Sequence, residues 1–390
     1  MRTPLLLALS GVVVMSASAA EGTRLLGAGA AQMGTAGAGV ASPQDANWIA
    51  LNPAGLVHVT NDAVMSCEII NGRSTETPRG ALGNTAAGTM TDSVVVFAPS
   101  VAWVRAGDGQ ALALGFYTVS GLALELPAAR SSFGAAGGYD RRAEERFVTT
   151  SVAYARTVAD GLSFGVALNF DYADFRSDSM TLSGGQTAGA FTLDRSLGGG
   201  FSLSVLQRWQ QVSVAATYTS RQWMQGFDRY ADLFAGTPDQ PQVIQLGVAW
   251  RPLPWLEPLL DYRFIDWDSL ALFHDGTAKS LGWRDQHIIK LACNVHVQTD
   301  LVLRAGVSYG RSPITESVAF TNGLTNLVTE MHATIGVGWK PSPACDVQIA
   351  YMHAFKNEVT DNGDDAFGLA QGTSIGLEVD SLTVGVGWLY

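Results

Sequence analysis

From Asp62 to the carboxyl end the chain repeats one pattern, a run of about ten residues in which apolar and polar side chains alternate, followed by a break. Fourteen such runs are delimited, at 62–71, 92–104, 110–119, 147–157, 162–176, 196–208, 211–220, 242–251, 255–268, 284–297, 300–310, 330–340, 344–355 and 374–390. In the fifth, Leu162, Phe164, Val166, Leu168, Phe170 and Tyr172 share one face, while Ser163, Gly165, Ala167, Asn169 and Asp171 share the other. In the twelfth, Ala333, Ile335, Val337 and Trp339 oppose His332, Thr334, Gly336, Gly338 and Lys340. Period two is the signature of a strand, whose successive side chains point to opposite faces. Alternation alone leaves open a soluble sandwich or a membrane barrel, because each has one apolar face.

Three features select the barrel. The breaks alternate in length: Ala106 to Gly109, Val158 to Gly161, Pro252 to Pro254, Gln298 to Asp300 and Pro341 to Pro343 are tight, and the breaks between them are long, such as Arg221 to Pro241. Short turns on one side and long loops on the other are the habit of outer-membrane barrels. Trp103, Trp209, Trp250, Trp339 and Trp388 stand at the ends of apolar faces, which suits a ring at the level of lipid headgroups. The chain also ends on a strand, as expected when the last strand must pair with the first. Two runs are irregular. Pro99 removes a ladder donor inside the second and predicts a bulge or kink, a candidate side exit through the wall. The last run switches its apolar face between Val379 and Leu382, which predicts a bulge near Asp380 or Ser381.

Ahead of the strands lie two other segments. Residues 1–20 read as a secretory signal, with Arg2 as the charged region, Leu5 to Met15 as the apolar core and Ser18-Ala19-Ala20 as the cleavage site. Residues 21–61 contain the stretch Arg24 to Leu56, too rich in glycine for a helix to be favoured and without strand alternation. A segment that cannot bury a face of its own is read as a plug enclosed by the barrel of residues 62–390, with Gly34, Gly37, Gly39, Asn52, Pro53 and Ala54 as gate residues. Composition agrees: charged residues make up only 15% of the 390 and the net charge is −11. No run after the amino terminus is long enough for a membrane helix, and the clustered cations of a nucleic-acid interface are missing. Cys67, Cys293 and Cys345 have no CxxC spacing and read as small apolar residues, with no metal site implied.

The sequence resembles the FadL-type family of long-chain fatty-acid and hydrocarbon transporters of the Gram-negative outer membrane. The resemblance rests on Gly34-Thr35-Ala36-Gly37-Ala38-Gly39-Val40, on Asp45-Ala46, and on Asn52-Pro53-Ala54-Gly55-Leu56. It continues through Arg304-Ala305-Gly306-Val307-Ser308-Tyr309, Ser312-Pro313-Ile314 and Tyr351-Met352-His353. It implies an all-β fold, a 14-stranded antiparallel transmembrane β-barrel closed by an amino-terminal plug, which catches apolar ligands with its outer loops and passes them inward without energy coupling. The long loops depart from the fatty-acid pattern, which leaves the ligand open among fatty acids, alkanes and aromatics.

Candidate ligand residues come from two places. Trp223, Phe227, Tyr230 and Phe234 are spaced four, three and four apart and would share one face of a short helix, an apolar groove at the mouth or loop-on-loop packing. By parity Glu257, Asp261, Arg263, Lys290 and Arg304 face the lumen. Of these, Arg263, Lys290 and Arg304 are candidates for a carboxylate headgroup, with an ion-pair network between wall and plug as the competing reading. Two G-x-S-x-G matches, at Ser163 and Ser308, fall in alternating runs rather than at a strand-to-helix turn and read as coincidences. His296 and His332 face the lumen with no partner implied by spacing, and the acidic loop 361–365 lacks the ligand order of a calcium loop. No catalytic residue, cofactor or metal is assigned. The leading expectation is a non-enzymatic, passive outer-membrane transporter of hydrophobic molecules, monomeric, in contact with outer-membrane lipid and lipopolysaccharide, with exit past the plug or through the wall. The alternatives are an aqueous porin and an outer-membrane lipid hydrolase.

Overall fold

The computed structural model describes residues 21–79, 88–126, 141–177, 191–231, 233–274, 279–323, 325–364, 368 and 370–390. The expected signal at 1–20 lies outside them, as do parts of several long loops and Asp365 of the acidic loop. Among the described residues fifteen strands follow the leader: β1 Asp62–Thr77, β2 Met90–Gly107, β3 Gln110–Leu126, β4 Arg141–Ala159, β5 Leu162–Ser177, β6 Asp194–Arg208, β7 Val212–Thr219, β8 Trp223–Met224, β9 Val243–Trp250, β10 Leu256–Ile265, β11 Gln286–Gln298, β12 Leu301–Gly310, β13 Met331–Ser342, β14 Cys345–Thr360 and β15 Ser374–Leu389. The two-residue β8 leans on β6 at Gly198 and Gly199. The other fourteen, one for each alternating run, form a closed antiparallel barrel. Closure is the pairing of β1 with β15, unbroken from Asp62↔Leu389 to Thr77↔Ser374. It leaves no edge whose backbone groups would go unpaired in lipid.

The tight connections share one end. At Asp108 and Gly109 both φ angles are positive, 51° and 70°, the backbone of a type I′ hairpin. Trp209, Trp250, Trp339 and Trp388 are exposed near that end. Outward positions between the two rims carry exposed Leu, Val, Ile and Phe, as with Leu168, Phe170, Leu291 and Ile335.

β1 to β5 and β14 run beyond the periodic stretches at the loop end, and the reason is chemical. There the alternation inverts its phase. In β15, Ile375, Leu377 and Val379 are buried and point into the lumen, as Ser381 and Thr383 do below them. The bulge expected at Asp380 or Ser381 is not there, since β1 and β15 stay in register through Asn71↔Asp380 and Ile70↔Ser381. What changes is the surroundings. Near the turns the outside is greasy and the inside polar; near the loops the inside is greasy and the outside carries Glu378 and Asp380. The irregularity lies instead in β14, between Ala354 and Asn357.

The second irregularity is also displaced. β2 runs in unbroken register against β1, with Cys67↔Pro99, so Pro99 makes no bulge there. On its other side β2 pairs with β3 only from Ser100↔Tyr117 to Gly107↔Gln110. The bulge is in β3, where pairing with β4 slips between Thr118 and Ser120.

The leader fills the lumen. It holds two short helices despite its glycines, α1 at Ala30–Gly34 and α2 at Trp48–Leu51, then a 3-10 turn at Pro53–His58. Barrel enclosure, not propensity, stabilises them: every residue of α1 is buried.

Candidate functional site

Inward polar side chains of the wall bind the plug through its backbone. Asp261 of β10 accepts the Gly39 and Val40 N–H groups, each at 3.0 Å. Glu257 accepts the Ser42 hydroxyl at 3.0 Å. Ser204 accepts the Ala54 N–H at 2.8 Å, while the Ser163 hydroxyl donates to the Ala54 carbonyl at 2.9 Å. Facing them is Gly165, where a Cβ would stand 2.2 Å from the Ala54 nitrogen, so the Pro53-Ala54 backbone lies directly on the wall. Within the plug, Asn52 donates to the Val40 carbonyl at 2.6 Å. Gly37 has φ 71°, and a Cβ there would meet the Leu26 carbonyl at 2.1 Å. Gly34 packs against Gly336 and its carbonyl accepts the Thr334 hydroxyl at 3.1 Å. Of the gate residues expected from sequence, Gly34, Gly39, Pro53 and Ala54 thus meet the wall, while Asn52 braces the plug internally and Gly37 packs on Leu26.

The cations meet the leader too. Glu21 is fully buried and forms ion pairs with Arg263 and with Lys290, the latter at 2.5 Å. Burial alone would raise the Glu21 carboxyl, but the two cations outweigh it and hold the group below its ordinary range. Arg263 also donates to Gln245 at 2.7 Å. Arg304 donates twice to Gln44, at 3.0 and 2.6 Å, in a polar hollow at the turn end shared with Arg251, Glu257 and His296.

Above the plug, beneath the loops, is an apolar cavity of about 150 Å³. Its wall is Leu122 of β3, Ala143 and Glu145 of β4 and Phe175 of β5; loops add Phe227, Leu233, Phe234, Leu272, Phe273 and Leu281, and Thr23 of the leader forms part of its floor. The four loop aromatics do not share a helix face. Only Asp228–Tyr230 is helical, a 3-10 turn, because the chain before it is drawn out as β8 against β6. Phe227 and Phe234 reach the cavity with ring centroids 6.2 Å apart. Tyr230 instead packs edge-on to Phe175 and accepts the Ser177 N–H at 3.0 Å. Trp223 is exposed and away from it. Sequence reasoning missed Leu122, Ala143, Phe175 and Phe273, and also Glu21; for the wall residues the inverted alternation of β4 and β5 was the available signal.

A second cavity, about 70 Å³, lies beyond the leader and is lined by Arg24, Leu25, Leu26, Tyr117, Thr118, Val119 and Arg263 among others. Thr23 to Leu25 partition the two. This partition is bonded to β3: Leu25 N–H donates to the Val119 carbonyl at 2.9 Å, and Gly121 N–H to the Thr23 carbonyl at 3.1 Å. Those are positions at which β3 no longer pairs with β2. The wall therefore has a seam between β2 and β3, and the leader closes it from inside.

Of the two G-x-S-x-G serines, both lie in strands, β5 and β12. The barrel does set His332 across the ladder from Ser308, yet the buried Ser308 hydroxyl makes no hydrogen bond. A nucleophile needs one to its base.

Compared with protein-family models and with curated proteins, the sequence matches none. Solved structures do match. The P. putida toluene transporter TodX superposes with a TM-score of 0.67 at 13% identity, over 93% of this chain and 98% of that one. A Pseudomonas aeruginosa FadL homologue gives 0.69 at 12%, over 94% and 99%. The Ralstonia pickettii toluene transporter TbuX gives 0.64 at 14%, over 94% and 99%. At these identities the likeness is one of fold, a plugged FadL-type barrel along essentially the whole described chain.

Proposed function

We propose that this chain is a passive FadL-type channel of a Gram-negative outer membrane that admits small uncharged hydrophobic molecules. The observation that carries the reading is the apolar cavity under the loops, divided only by Thr23 to Leu25 from a seam in the wall. A cavity on the order of 150 Å³ lined mostly by Leu and Phe, with Glu145 and Lys279 also in its lining, is large enough for a single aromatic ring. Arg263 and Lys290 are engaged by Glu21, which favours a neutral ligand over a carboxylate. Solved barrels of this fold include proteins described as toluene transporters, which supports the reading.

In the proposed path a ligand leaves the polar outer surface for the cavity, where Phe227, Phe234 and Phe175 supply the contact. The leader then gives up its bonds to Val119 and Gly121, and the ligand passes the seam into the lipid. An aqueous porin fits less well, because the plug's backbone is bonded to the wall on several sides.

The test is equilibrium binding of labelled toluene and labelled oleate to protein in detergent, with single-channel recording beside it. Toluene binding displaced by unlabelled toluene, without steady ion conductance, supports the proposal. Open conductance with no binding of either overturns it in favour of the porin.

A further inference from the structure

Outward side chains at the loop end of β4–β6 form a row that the transport path does not use. Inward Ala143, Phe147, Ala173 and Phe175 are buried, so Arg146 and Asp174 on the alternate positions lie on the outer face, where Arg146 covers Asp174 and leaves it only 6% exposed. Register puts Arg146 opposite Asp174, and Asp174 opposite Arg195. Arg146 contacts Asp174 directly, the Tyr172 hydroxyl donates to the same carboxylate at 3.1 Å, and Arg195 is the exposed neighbour across the ladder. The next outward row toward the turns is Val148, Tyr172 and Leu197, the beginning of the lipid-facing band.

Toward the loops, Arg176 pairs with Glu144 at 2.5 Å, and Arg142 lies opposite Glu125. The Arg142 and Arg176 guanidiniums also stack on the Phe191 ring, 4.2 and 4.6 Å from its centroid. Further around the wall, at β1, β14 and β15, the same level is acidic: Arg73 faces both Glu378 and Asp380, and His353 also contacts Asp380. At this boundary four arginines face three carboxylates, Glu125, Glu144 and Asp174, a surplus of one positive charge in a chain of net charge −11.

We propose that the Arg146–Asp174–Arg195 row binds the phosphate of a phosphorylated glycolipid of the outer leaflet, lipid A. The inference rests on the membrane orientation assumed under Proposed function, with the long loops outside. A phosphate at the acyl boundary accepts hydrogen bonds from guanidinium forks, and basic residues just beyond an apolar band recognise anionic headgroups. Arg146 and Arg195 grip the phosphate from its two sides, and Asp174 spaces them. The acyl chains follow Val148, Tyr172 and Leu197 downward.

The experiment is lipid binding to the full barrel in dodecyl maltoside micelles, read by native mass spectrometry with bis-phosphorylated lipid A, dephosphorylated lipid A and phosphatidylglycerol as probes. Wild type should retain the bis-phosphorylated form at least tenfold better than either other lipid. The double variant R146Q/R195Q should lose roughly 25-fold, about fivefold for each arginine. R73Q, on β1 and outside the row, should match wild type. D174N keeps both cations, removes the competing carboxylate, and should bind as well as wild type or better. Equal retention by wild type and R146Q/R195Q, or of lipid A and phosphatidylglycerol, overturns the proposal. Toluene binding on the same samples separates the two readings. Lost lipid A selectivity with toluene binding intact sinks only this one; intact selectivity without toluene binding sinks only the transport proposal.

Discussion

The carbonyl of Pro99 accepts the Thr118 hydroxyl at 3.2 Å, and that side-chain bond stands where a backbone rung would otherwise join β2 to β3. N–H and C=O of one strand residue point the same way, so the donor that proline lacks is the one that would face β3. Beyond this point β3 takes the leader as its partner. The seam therefore begins at a residue that cannot donate.

Restoring the donor should close the seam in part. We expect Pro99→Val to slow toluene release from loaded proteoliposomes about fivefold, the equivalent of one hydrogen bond of about 1 kcal/mol. Its equilibrium binding in detergent should be unchanged. Equal release rates for variant and wild type would remove the seam from the path.

The two cavity rings should matter where Trp223 does not. Truncating Phe227 or Phe234 to Ala removes apolar contact worth about 1.5–3 kcal/mol, hence about 10- to 100-fold weaker toluene binding. Trp223→Ala should bind normally. Heat-modifiable migration on gels checks that each variant still forms a closed barrel, and titration with labelled toluene reads the affinity.

Glu21 should act as the pin of the leader. Glu21→Gln leaves two buried cations without their counter-charge, a loss of about 3–5 kcal/mol, and should expose residues near the amino end to protease. The pH dependence follows from the sign of the shift. Its folded pKa is depressed, so the stabilisation is complete above the ordinary glutamate value of about 4.3 and disappears as pH falls through the lower folded value. The protection that Glu21 contributes should therefore be lost only in acid, below about pH 5. Loss near neutrality would point to another group.

Filling the space at Gly165 should unseat the plug. A valine there would drive its Cβ into the Ala54 nitrogen, since the space measures 2.2 Å. Overpacking costs about 1–3 kcal/mol, enough to shift the plug's docking equilibrium. Single-channel recording should show Gly165→Val conducting ions while wild type stays closed. A closed variant would mean the plug tolerates rearrangement at Pro53-Ala54.

What sequence made legible tracks the solvent each residue meets. Where β5 carries Phe164, Leu168 and Phe170 to lipid and Ser163, Asn169 and Asp171 to the lumen, contrast is strong and all fourteen barrel strands were counted. Where β15 passes from Leu382 to Val379 the contrast reverses, and a continuous strand reads as a broken one. The cavity lies in that reversed zone. Phe227 and Phe234 were visible as loop aromatics, but Ala143 and Phe175 were hidden behind outward Glu144, Asp174 and Arg176. Glu21 could not be foreseen, because Arg263 lies 242 residues away and no local pattern links them.

The way Ala54 rests on Gly165 also constrains assembly. The leader is bonded to β5, β6, β10 and β13, far around the circumference, yet the strand that follows it, β1, must meet β15 before the wall is whole. Forty-one residues held on so many sides are hard to thread into a finished hoop, so we expect the cork to be seated while the staves are still open. Joining the first stave to the last is then the final act, and any delay in it would leave the bottle leaking.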